Sequence, residues 1–230
     1  MSEKKPEPNT EDADNMKRVI IQCVQGSEEW FAARLGIVTA SRFKDVLNSG
    51  AGRGMYMKCL ADEKRKGIPH EGYQSNAMKN GHTYEPFARQ FYEDKYGVTV
   101  EQVGFVRWGQ IGCSPDGLVG DDGGVEIKCS EGKSHREILK KQKMPVTHIP
   151  QVQGNMWVAD LLYSNRKRRK WWDFISYTPF PQEQEEPFYC TRIERDDNYI
   201  DNILKPACER FLQDLNDLNE ILKGAKNGQK

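Results

Sequence analysis

The hydrophobic and polar positions in the first half of the chain predict helices with recognisable end signals. Ser27 is a favourable N-cap for a short helix, and Thr39 or Ser41 is one for the next helix. Gly97 follows the longest helical stretch, where glycine commonly ends a helix. The predicted helices cover residues 27–34, 41–48, 54–66 and 76–96.

Strand-like segments follow, and the Asp122-Gly123 step between two of them is a strong hairpin signal. Strands are predicted over residues 98–108, 111–114, 116–120, 125–130, 171–177 and 188–194, with helices over 133–141, 150–163 and 196–222. The order of helices, a mostly antiparallel sheet, and then helix–strand–strand–helix predicts an α/β (α+β layered) fold.

Length and composition predict one domain and exclude several classes of protein. We expect the 230 residues to form a single domain over 17–223, with a disordered N-terminal tail (1–16) and a frayed C-terminal tail (224–230). No run of 18 apolar residues and no secretory signal is present. The six cysteines form no C-x-x-C pair, which makes a zinc ribbon unexpected and favours reduced thiols in the cytoplasm. The net charge is zero, so any case for nucleic-acid binding depends on local patches.

The chemistry-bearing pattern is Pro115-Asp116, followed by Glu126-Ile127-Lys128 on the other arm of the predicted hairpin. Because side chains alternate along a strand, Glu126 and Lys128 share one face, while Ile127 points into the core and offers its carbonyl. Two carboxylates and a carbonyl are hard oxygen ligands that suit Mg²⁺. The alternative is a surface hairpin with ordinary charges.

Three further segments raise the weight of this pattern. Arg34, Thr39 and Ser41 surround a predicted helix start and form a candidate anion site, although simple capping explains Ser41 equally well. Glu85 is a candidate third acidic group, or else a solvated charge on a helix. Gln151 and Gln153 do not share a helix face, so we expect at most one of them to enter a site.

The ordered blocks RLGIVTAS, GHTYEPFA, CSPDGLV, VEIKC and PQVQGNMW resemble the lambda-type alkaline exonucleases, also called YqaJ-like viral recombinases. This family belongs to the PD-(D/E)xK nuclease superfamily. The resemblance implies a restriction-endonuclease-like core with a central mixed sheet flanked by helices. It also implies Mg²⁺-dependent digestion of one strand of linear duplex DNA from the 5′ end, with Mn²⁺ as a substitute metal. A ring-shaped homotrimer and a single-strand annealing protein as partner are further implications, in a bacterial or phage-infected cytoplasm and with no membrane.

The resemblance also assigns site residues by position. Asp116, Glu126 and the Ile127 carbonyl match the metal ligands, Lys128 the catalytic lysine, Glu85 the helix carboxylate and Gln153 the site glutamine. Arg34, Ser41 and Ser114 match positions that hold the 5′-terminal phosphate, with Thr39 beside them, and Met78 matches an apolar wedge between the strands.

Local charge leaves one question open. Residues 126–172 carry a net charge of +7, and Arg166 to Lys170 are five basic residues in a row. This run either contacts backbone phosphates or forms a solvated loop. Two other functions on the same fold are alternatives to an exonuclease: a sequence-specific or structure-specific endonuclease, and a non-catalytic module that binds DNA or a partner.

Overall fold

A computed structural model describes residues 18–69, 76–130, 132–160, 168–181 and 185–227. The α-helices are α1 (Glu28–Arg34), α2 (Phe43–Leu47), α3 (Ala51–Lys66), α4 (Asn76–Tyr96), α5 (Lys133–Lys141), α6 (Ile149–Ala159), α7 (Asp197–Tyr199) and α8 (Lys205–Asn227). The strands are β1 (Arg18–Ile21), β2 (Val38–Thr39), β3 (Val100–Glu101), β4 (Phe105–Trp108), β5 (Ile111–Cys113), β6 (Gly117–Val119), β7 (Gly123–Cys129), β8 (Trp171–Tyr177) and β9 (Phe188–Glu194).

The strands form two mixed sheets, where the sequence predicted one central sheet. The smaller sheet has the order β1-β4-β5-β2, and its β2–β5 pair is parallel. The larger has the order β3-β6-β7-β8-β9, and its β7–β8 pair is parallel while its other pairs are antiparallel. The layered α/β class is therefore confirmed. Strand β3 already belongs to the larger sheet, and after β4 and β5 in the smaller sheet the chain returns to the larger one at β6.

Helices cover both faces of the larger sheet because its central strands are apolar on both sides. On one face, Ala88 and Tyr92 of α4 pack against Val125 and Ile127 of β7. On the other face, α6 and α8 contribute to a larger core that includes Phe174 of β8. Alternate residues of β7 thus face different helices, which sends Glu126 and Ile127 in opposite directions.

Several boundaries differ from the sequence prediction for identifiable reasons. Strand β1 was not predicted; Val19 and Ile20 are more than 40% exposed, so the strand lacks a buried face. The predicted second helix begins as a 3-10 turn over Ala40–Arg42. The hairpin is confirmed, but the positive φ of its turn belongs to Gly120, and Gly123 is the first residue of β7.

The last helical region also differs from its prediction, because it contains a π-helical turn over Ile200–Leu204 and extends to Asn227. No helix in the described part of the chain is long and apolar enough to cross a membrane.

Candidate active site

Asp116 stands at the point where β6 and β7 separate. Its Oδ2 accepts a hydrogen bond of 2.6 Å from the Ile127 backbone N–H. Strand β6 begins at Gly117, opposite Val125, so Ile127 lies beyond the β6 ladder. The N–H and C=O of one residue in an extended strand project to the same side, so the Ile127 carbonyl also faces Asp116. The structure therefore brings these two predicted ligands together.

The side chains of Glu126 and Lys128 share one face of β7, and the Ile127 side chain lies on the other, as predicted from the alternation of side chains. Lys128 Nζ lies 2.5 Å from Glu126 Oε1, and Asn155 Nδ2 on α6 donates to Glu126 Oε2 over 2.9 Å. The Glu126 side chain is fully buried, whereas Lys128 retains about a third of its exposure. A buried carboxylate is thus held between an ammonium group and an amide.

Burial makes the two carboxylates hard to ionise in the absence of a further cation. Burial raises the pKa of Asp116 to about 7, repulsion from Glu85 adds to the rise, and Lys128 opposes it. Burial likewise raises the pKa of Glu126 to about 7, against the attraction of Lys128. For Lys128, burial favours the neutral amine, but the nearby carboxylates outweigh it and the pKa is raised. The cluster therefore contains more carboxylate than its single lysine neutralises.

Glu85 approaches the same cluster from α4. Burial raises its pKa, while an ion pair with Arg89, one turn along the helix, opposes this rise. Repulsion between Glu85 and Glu126 further raises the Glu85 pKa, which places the two carboxylates in one electrostatic neighbourhood. Glu85 therefore lies close enough to interact electrostatically with the cluster, and its part in the site stays a prediction.

The donor set fits a divalent cation that keeps several water ligands. Glu126 Oε1 is buried, and among the described residues the Lys128 ammonium is the one cation within ion-pair distance of it. In the same part of the chain, no three acidic, histidine or cysteine side chains converge closely enough to hold an ion by themselves. Mg²⁺ commonly binds through one or two carboxylates and retains its waters, which two carboxylates and a carbonyl satisfy.

A second cluster surrounds Ser114, two residues before Asp116. Ser114 Oγ accepts hydrogen bonds from Arg34 Nη1 at 3.1 Å and from Trp30 Nε1 at 2.8 Å. The Arg34 guanidinium lies 4.0 Å from the centre of the Trp30 ring, one helical turn away. Burial lowers the pKa of Arg34 to about 10, and no carboxylate among the described residues forms an ion pair with it. Such a half-buried cation, with N–H donors beyond the one bonded to Ser114, is suited to an anion.

Thr39 and Ser41 lie near this cluster but do not bond to it. Thr39 Oγ1 is 3.2 Å from Ser41 Oγ, and the Thr39 N–H donates to the Tyr56 hydroxyl over 3.0 Å. Thr39 pairs with Gly112 in parallel register. The segments that follow these two residues therefore leave the smaller sheet at the same end of their strands. The structure thus brings Ser41 towards Ser114, while Thr39 itself is buried and serves the backbone.

Gln153 was expected in the site, but its side chain bonds to backbone groups instead of lying beside Asp116 and Glu126. Its Nε2 donates to the Glu194 carbonyl over 2.8 Å, and its Oε1 accepts from the Asp196 N–H over 2.9 Å. Both halves of the amide therefore fasten α6 to the end of β9. Asn155 occupies the expected position instead, and Gln151 lies one turn before it on the same helix face.

Two other predictions fall partly outside the described residues. Met78 lies within α4, but its side chain is not among those described, so the wedge remains a prediction. In the basic run, residues 166 and 167 are outside the described ranges. Arg169 is fully buried and donates to the Gly120 and Gly123 carbonyls, so this member of the run supports the hairpin from within the core.

We expect Asn155→Ala and Gln153→Ala to differ in their effects: the first should weaken metal binding, and the second should lower thermal stability. The first leaves Glu126 Oε2 without its amide donor, and loss of such a supporting group typically weakens metal binding about 10- to 100-fold. The second removes two bonds to the backbone, so it should lower the melting temperature and leave metal affinity nearly unchanged. Calorimetric titration with Mn²⁺ and thermal melts separate the two effects; equal metal affinity in both variants would contradict the assignment of Asn155.

The raised carboxylate pKa values predict a pH-dependent response to metal. A carboxyl group whose pKa is higher in the folded state stabilises the protein below its ordinary pKa, and this contribution is lost as the pH rises towards about 7. Mg²⁺ binds the ionised form, so it should raise the melting temperature more at pH 8 than at pH 5. Melts of wild type and Asp116→Asn, with and without Mg²⁺, isolate the effect; the same Mg²⁺ shift at both pH values would contradict it.

The comparisons with known proteins agree on one family. The profile of the YqaJ-like viral recombinase domain matches residues 29–161. The crystal structure of LHK-Exo, an alkaline exonuclease from Laribacter hongkongensis, is 38% identical in sequence, with a TM-score of 0.78 over 89% of this chain and 100% of that one. LHK-Exo in complex with dAMP matches over the same shares, at 38% identity and a TM-score of 0.79.

A more distant structure supports the fold alone. A phage-related exonuclease from Haemophilus somnus 129PT is 15% identical, with a TM-score of 0.57 over 79% of this chain and 96% of that one. A search of curated proteins found no match. The match over residues 29–161 spans more than half of the chain and contains every residue of the two clusters described above. Together with the likeness to LHK-Exo, it shows that the chain belongs to the YqaJ-like viral recombinase family, a nuclease family of the alkaline exonuclease type.

Proposed function

We propose that the protein is an Mg²⁺-dependent exonuclease that digests one strand of linear duplex DNA from its 5′ end. The product would be a 3′ single-stranded overhang for recombination by strand annealing. This proposal rests on how close the two clusters are along the chain. Ser114, which accepts hydrogen bonds from Arg34 and Trp30, is two residues before Asp116. A pocket for a terminal phosphate next to metal ligands favours cleavage at an end.

The chain's own residues have distinct roles in this proposal. Asp116, Glu126 and the Ile127 carbonyl would hold the metal, which when bound polarises the scissile phosphodiester and lowers the pKa of a bound water. Lys128 would then be released from Glu126 and orient the attacking oxygen through its ammonium group. Arg34, with Ser114 and Ser41, would hold the 5′-phosphate, and Trp30 would fix the guanidinium plane.

One set of substrates tests this function. Linear 5′-phosphorylated duplex, linear 5′-hydroxyl duplex and covalently closed circular duplex are incubated with protein and Mg²⁺. An exonuclease of this kind digests the first fastest and spares the circle. Cleavage of the circle would instead show an endonuclease, and cleavage of none would show a binding module. LHK-Exo, whose structure includes a complex with dAMP, is a suitable positive control.

Assembly and cellular partners form part of the same proposal. We propose a ring-shaped homotrimer that encloses the DNA and works in the cytoplasm with a single-strand annealing protein. Light scattering at micromolar concentration should give about three times the 26.5 kDa chain mass. The mass of a single chain throughout that range would defeat the ring and, with it, processivity by enclosure.

A further inference from the structure

A cavity of about 400 Å³ lies away from the carboxylates, where α3, α8 and the β4–β5 turn meet. Three of its eight lining residues are basic, three carry neutral amides, one is acidic and one is apolar. Lys64 and Arg65 come from α3, Gln110 from the turn, and Asn216, Asn219 and Lys223 from α8. Neither cluster of the proposed active site includes any of these residues.

Positive charge in this cavity is only partly compensated. Lys223 bonds to Glu220, which also lines the cavity, and Arg65 bonds to Asp62. Lys64 Nζ instead donates to the neutral Gln110 Oε1 over 2.5 Å, and among the described residues no carboxylate forms an ion pair with it. Burial, and then repulsion from Arg107 and Lys223, lower the Lys64 pKa. Lys64 thus carries an exposed ammonium group that no described carboxylate balances, and a bound anion would offset its repulsion from Arg107 and Lys223.

Lys64 differs from the two basic residues that follow it in the last turn of α3. All three cations interact favourably with the helix dipole, but only Arg65 and Lys66 also pair with Asp62. The Lys64 side chain runs in a different direction because its methylene groups pack over Gly36. A Cβ at Gly36 would lie 2.6 Å from Lys64 Cγ, and Gly36 has a φ of +66°. The backbone at Gly36 thus makes room for the lysine stem.

The cavity is within reach of DNA that occupies the proposed active site. Gln110 begins the segment that runs through β5 to Ser114 and Asp116. Six residue steps of extended chain span at most about 20 Å. Duplex DNA rises about 3.4 Å per base pair, so a duplex whose end lies at Asp116 covers that distance in about six base pairs.

From these observations we propose that the cavity binds a backbone phosphate of the substrate DNA, about half a helical turn from the cleaved end. This inference rests on the proposed exonuclease function. Lys64 supplies charge that no described carboxylate pairs with, and the amides of Gln110, Asn216 and Asn219 supply hydrogen-bond donors. Contacts to phosphate carry no sequence information, which suits an enzyme that must digest any sequence.

The test compares Lys64→Gln with Lys66→Gln, a matched control on the same helix whose lysine is exposed and paired with Asp62. Binding of a fluorescent 24-base-pair duplex is measured by anisotropy in Ca²⁺ at several NaCl concentrations. The affinity falls as salt rises, so the slope of log affinity against log salt is negative. Losing one phosphate contact should make this slope shallower by about 0.9. We expect this change in Lys64→Gln, recovery in Lys64→Arg, and no change in Lys66→Gln.

A short substrate separates this proposal from the function on which it rests. On a hairpin with a four-base-pair stem, which does not reach the cavity, Lys64→Gln should bind as wild type does. The same salt slope in wild type and Lys64→Gln on the long duplex would overturn the proposal, and so would an equal loss on the hairpin. Failure of the proposed function would appear instead as wild-type protein that binds duplex and leaves every linear substrate undigested in Mg²⁺. Titration with inorganic phosphate is the remaining arm: weaker competition with duplex in Lys64→Gln than in wild type supports the site, and equal competition counts against it.

Discussion

Lys128→Ala is expected to reduce hydrolysis of linear duplex DNA by at least about a thousandfold while leaving binding of the duplex largely intact. Groups that act as one unit lose most of their joint effect when a single member is removed. In this cluster Lys128 is the ammonium 2.5 Å from the buried Glu126, and its side chain retains about a third of its exposure. Its removal takes away the cation beside Glu126 and, in the proposed function, the group that orients the attacking oxygen. Single-turnover digestion at ordinary Mg²⁺ measures the loss.

Asp116→Asn is the companion variant for this prediction, because it keeps the shape of the side chain. An asparagine oxygen can still accept the Ile127 N–H, so the fold around β7 should be retained. Hydrolysis should fall as far as in Lys128→Ala, while the melting temperature without metal changes little or rises. Substantial digestion by either purified, folded variant would remove the cluster from its proposed role. With Ca²⁺, wild type should bind DNA without turnover, because the loose coordination of Ca²⁺ positions water poorly.

Arg34→Ala is expected to abolish a preference for 5′-phosphorylated ends. A terminal phosphate carries more negative charge than an internal phosphodiester, and a charge-assisted hydrogen bond contributes roughly 1.5–3 kcal/mol. Wild type should therefore digest 5′-phosphorylated duplex about 10- to 100-fold faster than 5′-hydroxyl duplex, and the variant should bring this ratio close to one. Arg34→Lys should recover little, because a point charge does not reproduce the planar fork of N–H donors.

Trp30→Phe is the matched control for Arg34. It keeps an aromatic ring beneath the guanidinium and removes the Nε1 donor to Ser114. The phosphate preference should persist in this variant, with at most a small reduction. The competing idea is that Arg34 only stabilises its helix, in which case Arg34→Ala would slow both substrates equally and lower the melting temperature. Rates on the paired substrates, together with thermal melts, distinguish these outcomes.

Elements with a strong local signal were predicted well. Strands β8 and β9 and helices α4 and α5 have the predicted bounds, because each has a continuous apolar pattern or a clear end signal such as Gly97. Strand β2 was missed because two residues, Val38 and Thr39, carry too little pattern for any local rule. Its existence depends on pairing with β5, far along the chain.

The candidate site shows the same division between local and long-range information. Alternation along one strand was enough to place Glu126 and Lys128 together, and the structure agrees. On α6, helical spacing alone allowed either Gln151 or Gln153 to face the site. The hydrogen bond between Asn155 and Glu126 shows which face of α6 is turned to the site, and Gln153 is not on that face. Because this bond joins residues 29 positions apart, local spacing could not predict it. A search for polar residues one turn from Gln151 would have found Asn155.

The short link between the two clusters has a consequence for the size of the product. Between Ser114 and Asp116 the chain spans at most about 7 Å, because two residues of extended backbone reach no further. Pro115 restricts the backbone at the centre of this link, and its carbonyl accepts a hydrogen bond of 2.8 Å from Gln25. In the proposed function, a link this short and this well anchored would fix the distance between the bound strand end and the point of cleavage. An end held at Ser114 leaves room for roughly one nucleotide before the carboxylates, so such an enzyme would release its substrate strand as mononucleotides.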